Sequence, residues 1–113
     1  MTKDEINYFL SQIKEDYSEQ EILSDLNTIY NLDPELTMYD MMVLHRLHWE
    51  MRQYQIVSGQ MADGMTTRQL AQELRMSHSR CRKSIEILVN KDYVTRHPKT
   101  WGFVAVEIEN WPK

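Results

Sequence analysis

The sequence predicts a mainly α-helical protein that ends in a small β-hairpin, an α+β fold within 113 residues. Three observations lead there. Apolar residues recur three and four positions apart through most of the chain up to Asn90, the rhythm of one helix face. Pairs with capping-box spacing, Thr2/Glu5, Ser18/Glu21 and Thr66/Gln69, stand ahead of three of those runs. Beyond Asn90 the pattern changes to short β-prone stretches broken by Pro98 and Gly102. A chain of this length buries roughly two-thirds of its unfolded surface, so one core suffices without a disulfide or a metal.

Each element has its own signal. Residues 2–16 read as a helix, with Ile6, Phe9, Leu10, Ile13 and Tyr17 on one face. Residues 19–31 read as a second, striped by Ile22, Leu23, Leu26, Ile29 and Tyr30, and Asp33-Pro34 ends it. A third helix is expected over 38–56. Thr37 is its N-cap, Asp40 sits in its first turn, and Met41, Leu44, Leu47, Met51 and Tyr54 face one side. Residues 58–65, with Gly59 and Gly64, form a turn-rich connector where a short strand has room but no fixed place. Thr66 opens a short helix over 67–74, Arg75-Met76-Ser77 is a tight turn, and Ser77 caps a helix over 78–90. Cys81, Ile85 and Leu88 are its inward positions. Residues 93–96 are β-prone. Residues 102–108 alternate, with Val104, Val106 and Ile108 on one face and Phe103, Ala105 and Glu107 on the other.

The net charge of −4 averages two unlike segments. Residues 1–35 hold nine acids against Lys3 and Lys14, a net −7, whereas residues 66–100 hold eight bases against Glu73, Glu86 and Asp92, a net +5. A local +5 stretch in an acidic protein suits a polyanion site rather than general stickiness. No apolar run approaches the ~20 residues of a membrane span, and the acidic opening Met1–Glu5 has no apolar signal core, so neither membrane insertion nor export is expected. One cysteine, Cys81, allows no intramolecular disulfide and fits a reducing cytoplasm. Its inward slot marks it as a core residue rather than a redox sensor. His45 and His48, like His78 and Cys81, are three apart, but no third ligand stands near either pair in sequence, so no metal is expected. The eight methionines and Trp49, Trp101 and Trp111 read as core material, with Trp101 alternatively stiffening the hairpin. No Gly-rich phosphate loop, G-x-S-x-G or H-E-x-x-H occurs, so neither an enzyme nor a cofactor is expected.

The string from Thr66 to Arg96, TTRQLAQELRMSHSRCRKSIEILVNKDYVTR, resembles the winged helix-turn-helix family. The likeness lies in Leu70, Ala71 and Leu74, Met76 in the turn, Ser77 at the cap, Cys81, Ile85 and Leu88, and Tyr93-Val94 leading into the wing. The preceding helix, opening with Leu36-Thr37, resembles the first helix of the winged domain in MarR-type transcriptional regulators. The chain departs from them in the wing, which reads Arg96-His97-Pro98-Lys99-Thr100-Trp101 without an Asp-x-Arg element, and in lacking their long C-terminal dimerisation helix. The resemblance implies a winged helix-turn-helix with extra N-terminal helices. Residues 36–113 would form the winged domain, and residues 1–35 an acidic helical extension that carries dimerisation.

That fold assigns roles to exposed residues. A recognition helix packs one dry face on the core and sends the other into the major groove. With Cys81, Ile85 and Leu88 inside, Ser77, His78, Ser79, Arg80, Arg82 and Lys83 are left to contact DNA, and Glu86 to solvate or orient an arginine. Thr66, Thr67 and Arg68 sit at a helix N-terminus, which suits a phosphate. Arg96, His97 and Lys99 lie on the wing, suited to the backbone or minor groove. The expectation is a cytoplasmic, non-enzymatic regulator that binds double-stranded DNA as a homodimer. Two alternatives share the fold: a protein-interaction module docking through the acidic N-terminal segment, and a plasmid or phage DNA-binding protein of replication or partition.

Overall fold

The computed structural model describes residues 19–58 and 62–107. The helix expected over 2–16 and the strand position at Ile108 lie outside them. Helix α1 spans Glu19–Leu32, α2 Met38–Ser58, α3 Thr67–Leu74 and α4 His78–Asn90; strands β1 (Val94–Arg96) and β2 (Phe103–Ala105) follow. The described residues are thus mainly helical, with a two-stranded antiparallel sheet in which Val94 faces Ala105 and Arg96 faces Phe103.

Local chemistry fixes most boundaries. Thr37 and Asp40 cap α2 reciprocally: Asp40 N–H donates to Thr37 Oγ1 (3.2 Å) and Thr37 N–H to Asp40 Oδ2 (3.0 Å). Such a cap is worth about 1 kcal/mol. Asp33 ends α1, with its N–H bonded to Ile29 C=O at 2.9 Å and its Oδ1 accepting from Glu35 N–H at 3.0 Å.

Helix α2 is the hub, touched by α1, α3, α4 and β2. The expected one-sided stripe therefore does not describe it. Met41, Leu44 and Leu47 are buried, but so are Met42, Val43, His45, Arg46 and His48. Met51 is half-buried, and Tyr54, expected inward, is exposed. Neighbours on all sides cover the first half of the helix, and the covering thins toward its end.

The polar residues enclosed by this arrangement are paired. His45 Nε2 meets Asp25 Oδ2 of α1 at 3.1 Å, and Arg46 joins Glu50 and Glu73, each at 2.7 Å. Lys91 Nζ donates to Asp33 Oδ2 (2.8 Å) and Glu35 Oε2 (3.0 Å), and Tyr93 OH donates to Asp33 as well. Burial works against the Asp33 carboxylate, but the bonds from Lys91, Glu35 N–H and Tyr93 outweigh it and hold its pKa below the ordinary range.

Leu26 and Ile29 of α1 belong to the same core cluster as Leu44, Leu70, Cys81, Leu88, Val94 and Phe103. Part of the second apolar stripe thus serves the core of this chain, while Tyr30 and Leu32 stay about two-fifths exposed at 40% and 41%.

The expected alternation over 102–108 does not hold. Phe103, Val104 and Ala105 are all buried, and the strand ends before Val106. Both faces of β2 are covered, α2 packing against it, and β2 is also the middle of the sheet, with β1 on one edge and Met65 on the other. Met65 N–H donates to Phe103 C=O (2.9 Å), and Phe103 N–H to Met65 C=O (2.8 Å). This pairing places the short extended piece that the connector left open. It also packs Gly64 against Gly102 so closely that a Cβ on Gly102 would lie 2.8 Å from the Gly64 carbonyl carbon.

Candidate nucleic-acid interface

The α3–turn–α4 unit begins with a complete capping box. Thr66 Oγ1 accepts from Gln69 N–H (3.1 Å) while Thr66 N–H donates to Gln69 Oε1 (3.0 Å). The amides of Thr67 and Arg68 are left at the helix end with no acceptor among the described residues. Arg75 closes α3 in the left-handed region (φ 53°, ψ 45°), and Met76 N–H returns to Ala71 C=O at 3.0 Å. That reversal turns the chain within three residues. Ser77 then caps α4, its Oγ accepting from Arg80 N–H at 3.2 Å.

Helix α4 is divided lengthwise. Cys81, Ser84, Ile85 and Leu88 are buried, and His78, Ser79, Arg80, Arg82, Lys83 and Glu86 are exposed. Ser84 is the inward residue the apolar spacing missed. Burial pushes the Cys81 thiol up to about 11, so it stays protonated near neutrality. Arg82 and Lys83 make no ion pair among the described residues. Arg80 lies with its guanidinium 4.2 Å above the ring centre of Tyr39 at the start of α2. This stack engages the guanidinium itself, while the residue as a whole stays exposed. Nothing in the local sequence points to Tyr39, because the pairing spans two helices.

The hairpin loop is internally tied. His97 N–H bonds Gly102 C=O (2.7 Å) and Trp101 N–H bonds His97 C=O (3.0 Å). His97 Nδ1 accepts from Lys99 N–H (3.0 Å) and Thr100 N–H (3.2 Å), which places the ring proton on Nε2. Arg96 is exposed but engaged: its guanidinium lies 4.3 Å above Phe103, and Nη1 donates to Trp101 C=O at 2.9 Å. Lys99 is exposed and makes no ion pair among the described residues.

Thr67, Arg82 and Arg96, from three separate points of the sequence, line one open groove of about 760 Å³ between α4 and the hairpin, floored by Ile85 and Phe103. Glu86 lines it too, between the arginines in sequence. His78, Ser79, Arg80 and Lys83 lie along α4 outside that lining. Lys91, counted in the basic stretch, is neutralised by Asp33 and Glu35 and adds nothing to this face. Three acids of the −7 segment, Asp25, Asp33 and Glu35, are likewise spent on internal pairs.

Among the described residues no three His, Cys, Asp or Glu side chains gather as a metal site, and no helix is long and apolar enough to cross a membrane. Compared with protein-family models, curated proteins and solved structures, the chain matches none.

Proposed function

We propose that this protein is a winged helix-turn-helix DNA-binding protein, a non-enzymatic transcriptional regulator that places α4 in the major groove of a duplex and acts as a cytoplasmic homodimer. One observation carries the reading. Helix α4 opens from a three-residue turn with one face sealed in the core and two exposed cations, Arg82 and Lys83, that make no ion pair among the described residues. A cationic helix face beside a groove with arginine on both walls suits a polyanion that fills a concave path. The resemblance of residues 66–96 to winged helix-turn-helix proteins supports the same reading.

Roles follow from position. Arg80 and Arg82, near the start of α4, reach base edges, where a bidentate arginine selects guanine. His78, Ser79 and Lys83 flank them. Ser77 holds the helix start, and Thr66, Thr67 and Arg68 take a phosphate at the α3 end. Lys99 and His97 meet the backbone from the hairpin, while Arg96 orders the loop and faces the groove. Dimerisation would draw on the exposed end of α1, including Tyr30 and Leu32, and on the residues before it. It would set two α4 helices about 34 Å apart, one turn of DNA. Burial and internal pairing of Asp25 and Asp33 reduce the acidic surface that protein docking would need.

The test is a selection of duplexes from a randomised pool, then a salt titration of the best binder. Arg82→Ala should cost roughly 1–3 kcal/mol at one base pair and relax specificity there. Lys99→Ala should weaken all sequences alike and lower the salt slope by about one. Absence of duplex binding at low salt refutes the reading.

A further inference from the structure

Trp101 is the most exposed large apolar side chain among the described residues, at 67%. Its backbone is also unusual, with φ at 63°, in the left-handed region that residues other than glycine seldom occupy. Such a conformation is strained for a residue with a Cβ and persists only where the surroundings impose it. Here they do. Trp101 N–H is bonded to His97 C=O, and its C=O accepts from Arg96 Nη1. On either side, Thr100 Oγ1 donates to Asp63 C=O and accepts from Gly102 N–H at 3.2 Å. Gly102 is wedged against Gly64 with no room for a Cβ. The loop is therefore fixed on both flanks, and what it fixes is an indole held in water.

Chemistry around the indole selects a partner. The stretch 96–102 reads RHPKTWG, with two fixed cations, a histidine and no carboxylate. The acid that touches it, Asp63, does so through its main-chain carbonyl. A flat apolar ring among cations is a poor match for an apolar protein surface, which would leave Lys99 unpaired. It matches a nucleic acid, which offers stacked rings and sugars beside a line of phosphates.

We infer that Trp101 is a DNA-contacting residue: the tip of the hairpin carries its indole against the sugars and base edges of the duplex, while Lys99 meets the adjoining phosphates. This rests on the duplex-binding reading above and adds an uncharged contact to it. Arg96 acts one step back as a positioning residue, through its bond to the Trp101 carbonyl.

The experiment uses the full chain labelled with 5-fluorotryptophan and the duplex recovered from the randomised pool. The fluorine resonance missing from Trp101→Phe identifies Trp101. On adding duplex, that resonance should shift and saturate in step with binding measured by anisotropy of labelled DNA. Trp101→Ala should weaken binding about tenfold with the salt slope unchanged, Trp101→Phe should keep most of the affinity, and circular dichroism should show all three proteins equally folded. A duplex that binds while the Trp101 resonance stays still, with Trp101→Ala binding as well as the parent, overturns this inference and leaves the α4 reading standing. A resonance that shifts with protein concentration alone makes the tip a self-association surface and also overturns it. No duplex binding at low salt removes both.

Discussion

Replacing His48 with glutamine should flatten the acid side of the stability curve. His48 is 4% exposed on α2. Burial, then the nearby charge of Arg52, lowers its pKa from 6.5 to about 3 against the opposing pull of Asp25. Because the folded state resists protonation, stability is complete above pH ~6.5. It is lost as pH falls, since the unfolded chain takes up the proton first. The slope is about 1.4 kcal/mol per pH unit between the two pKa values. Integrated from pH ~7 to ~5, the loss is about 2 kcal/mol for this one group. Urea denaturation of parent and His48→Gln at both pH values isolates it, because the remaining histidines contribute to both proteins. The variant will have its own stability at neutral pH, so the difference between the two pH losses is what counts. Equal losses within about 0.5 kcal/mol would mean that His48 titrates alike folded and unfolded, and that the enclosure of α2 by its neighbours is not as described.

Gly102→Ala should destabilise by roughly 1–3 kcal/mol in urea, because its Cβ would meet backbone atoms of Gly64, Asp63 and Met65 at 2.8–3.0 Å; an unchanged midpoint would refute that close approach. Cys81, fully buried with its thiol pushed up to about 11, should react with a thiol reagent only at the rate of unfolding, and fast labelling of the native protein would contradict this. Removing residues 1–35 should lower the denaturation midpoint markedly, since it strips Leu26 and Ile29 from the core and leaves His45 without Asp25. The dimer is therefore better tested by sedimentation of a Tyr30→Glu, Leu32→Glu protein, which should be monomeric if the end of α1 forms the interface.

The sequence alone determined what is governed by neighbours in the chain. The limits of α3 and α4, the caps at Thr66 and Ser77 and the turn between them follow from side chains reaching amides three residues away. That interaction needs no knowledge of the fold. The division of α4 into Cys81, Ile85 and Leu88 inside and Arg80, Arg82 and Lys83 outside was legible for a related reason. The helix lies on the core by one face only, so the period of 3.6 survives. Tertiary structure decided the rest. Helix α2 lost its expected stripe because elements close on it from several sides, which also turned His45, Arg46 and His48 inward. Strand β2 lost its alternation because its residues are buried on both faces. Lys91, an apparent member of the basic stretch, was removed from the cationic face by Asp33 and Glu35, more than fifty positions earlier in the chain. Tyr39 beneath Arg80 and the convergence of Thr67, Arg82 and Arg96 on one groove are likewise long-range. Spacing along a chain encodes what one helix or strand presents; which surfaces meet, and which charges they cancel, exists only once the elements pack.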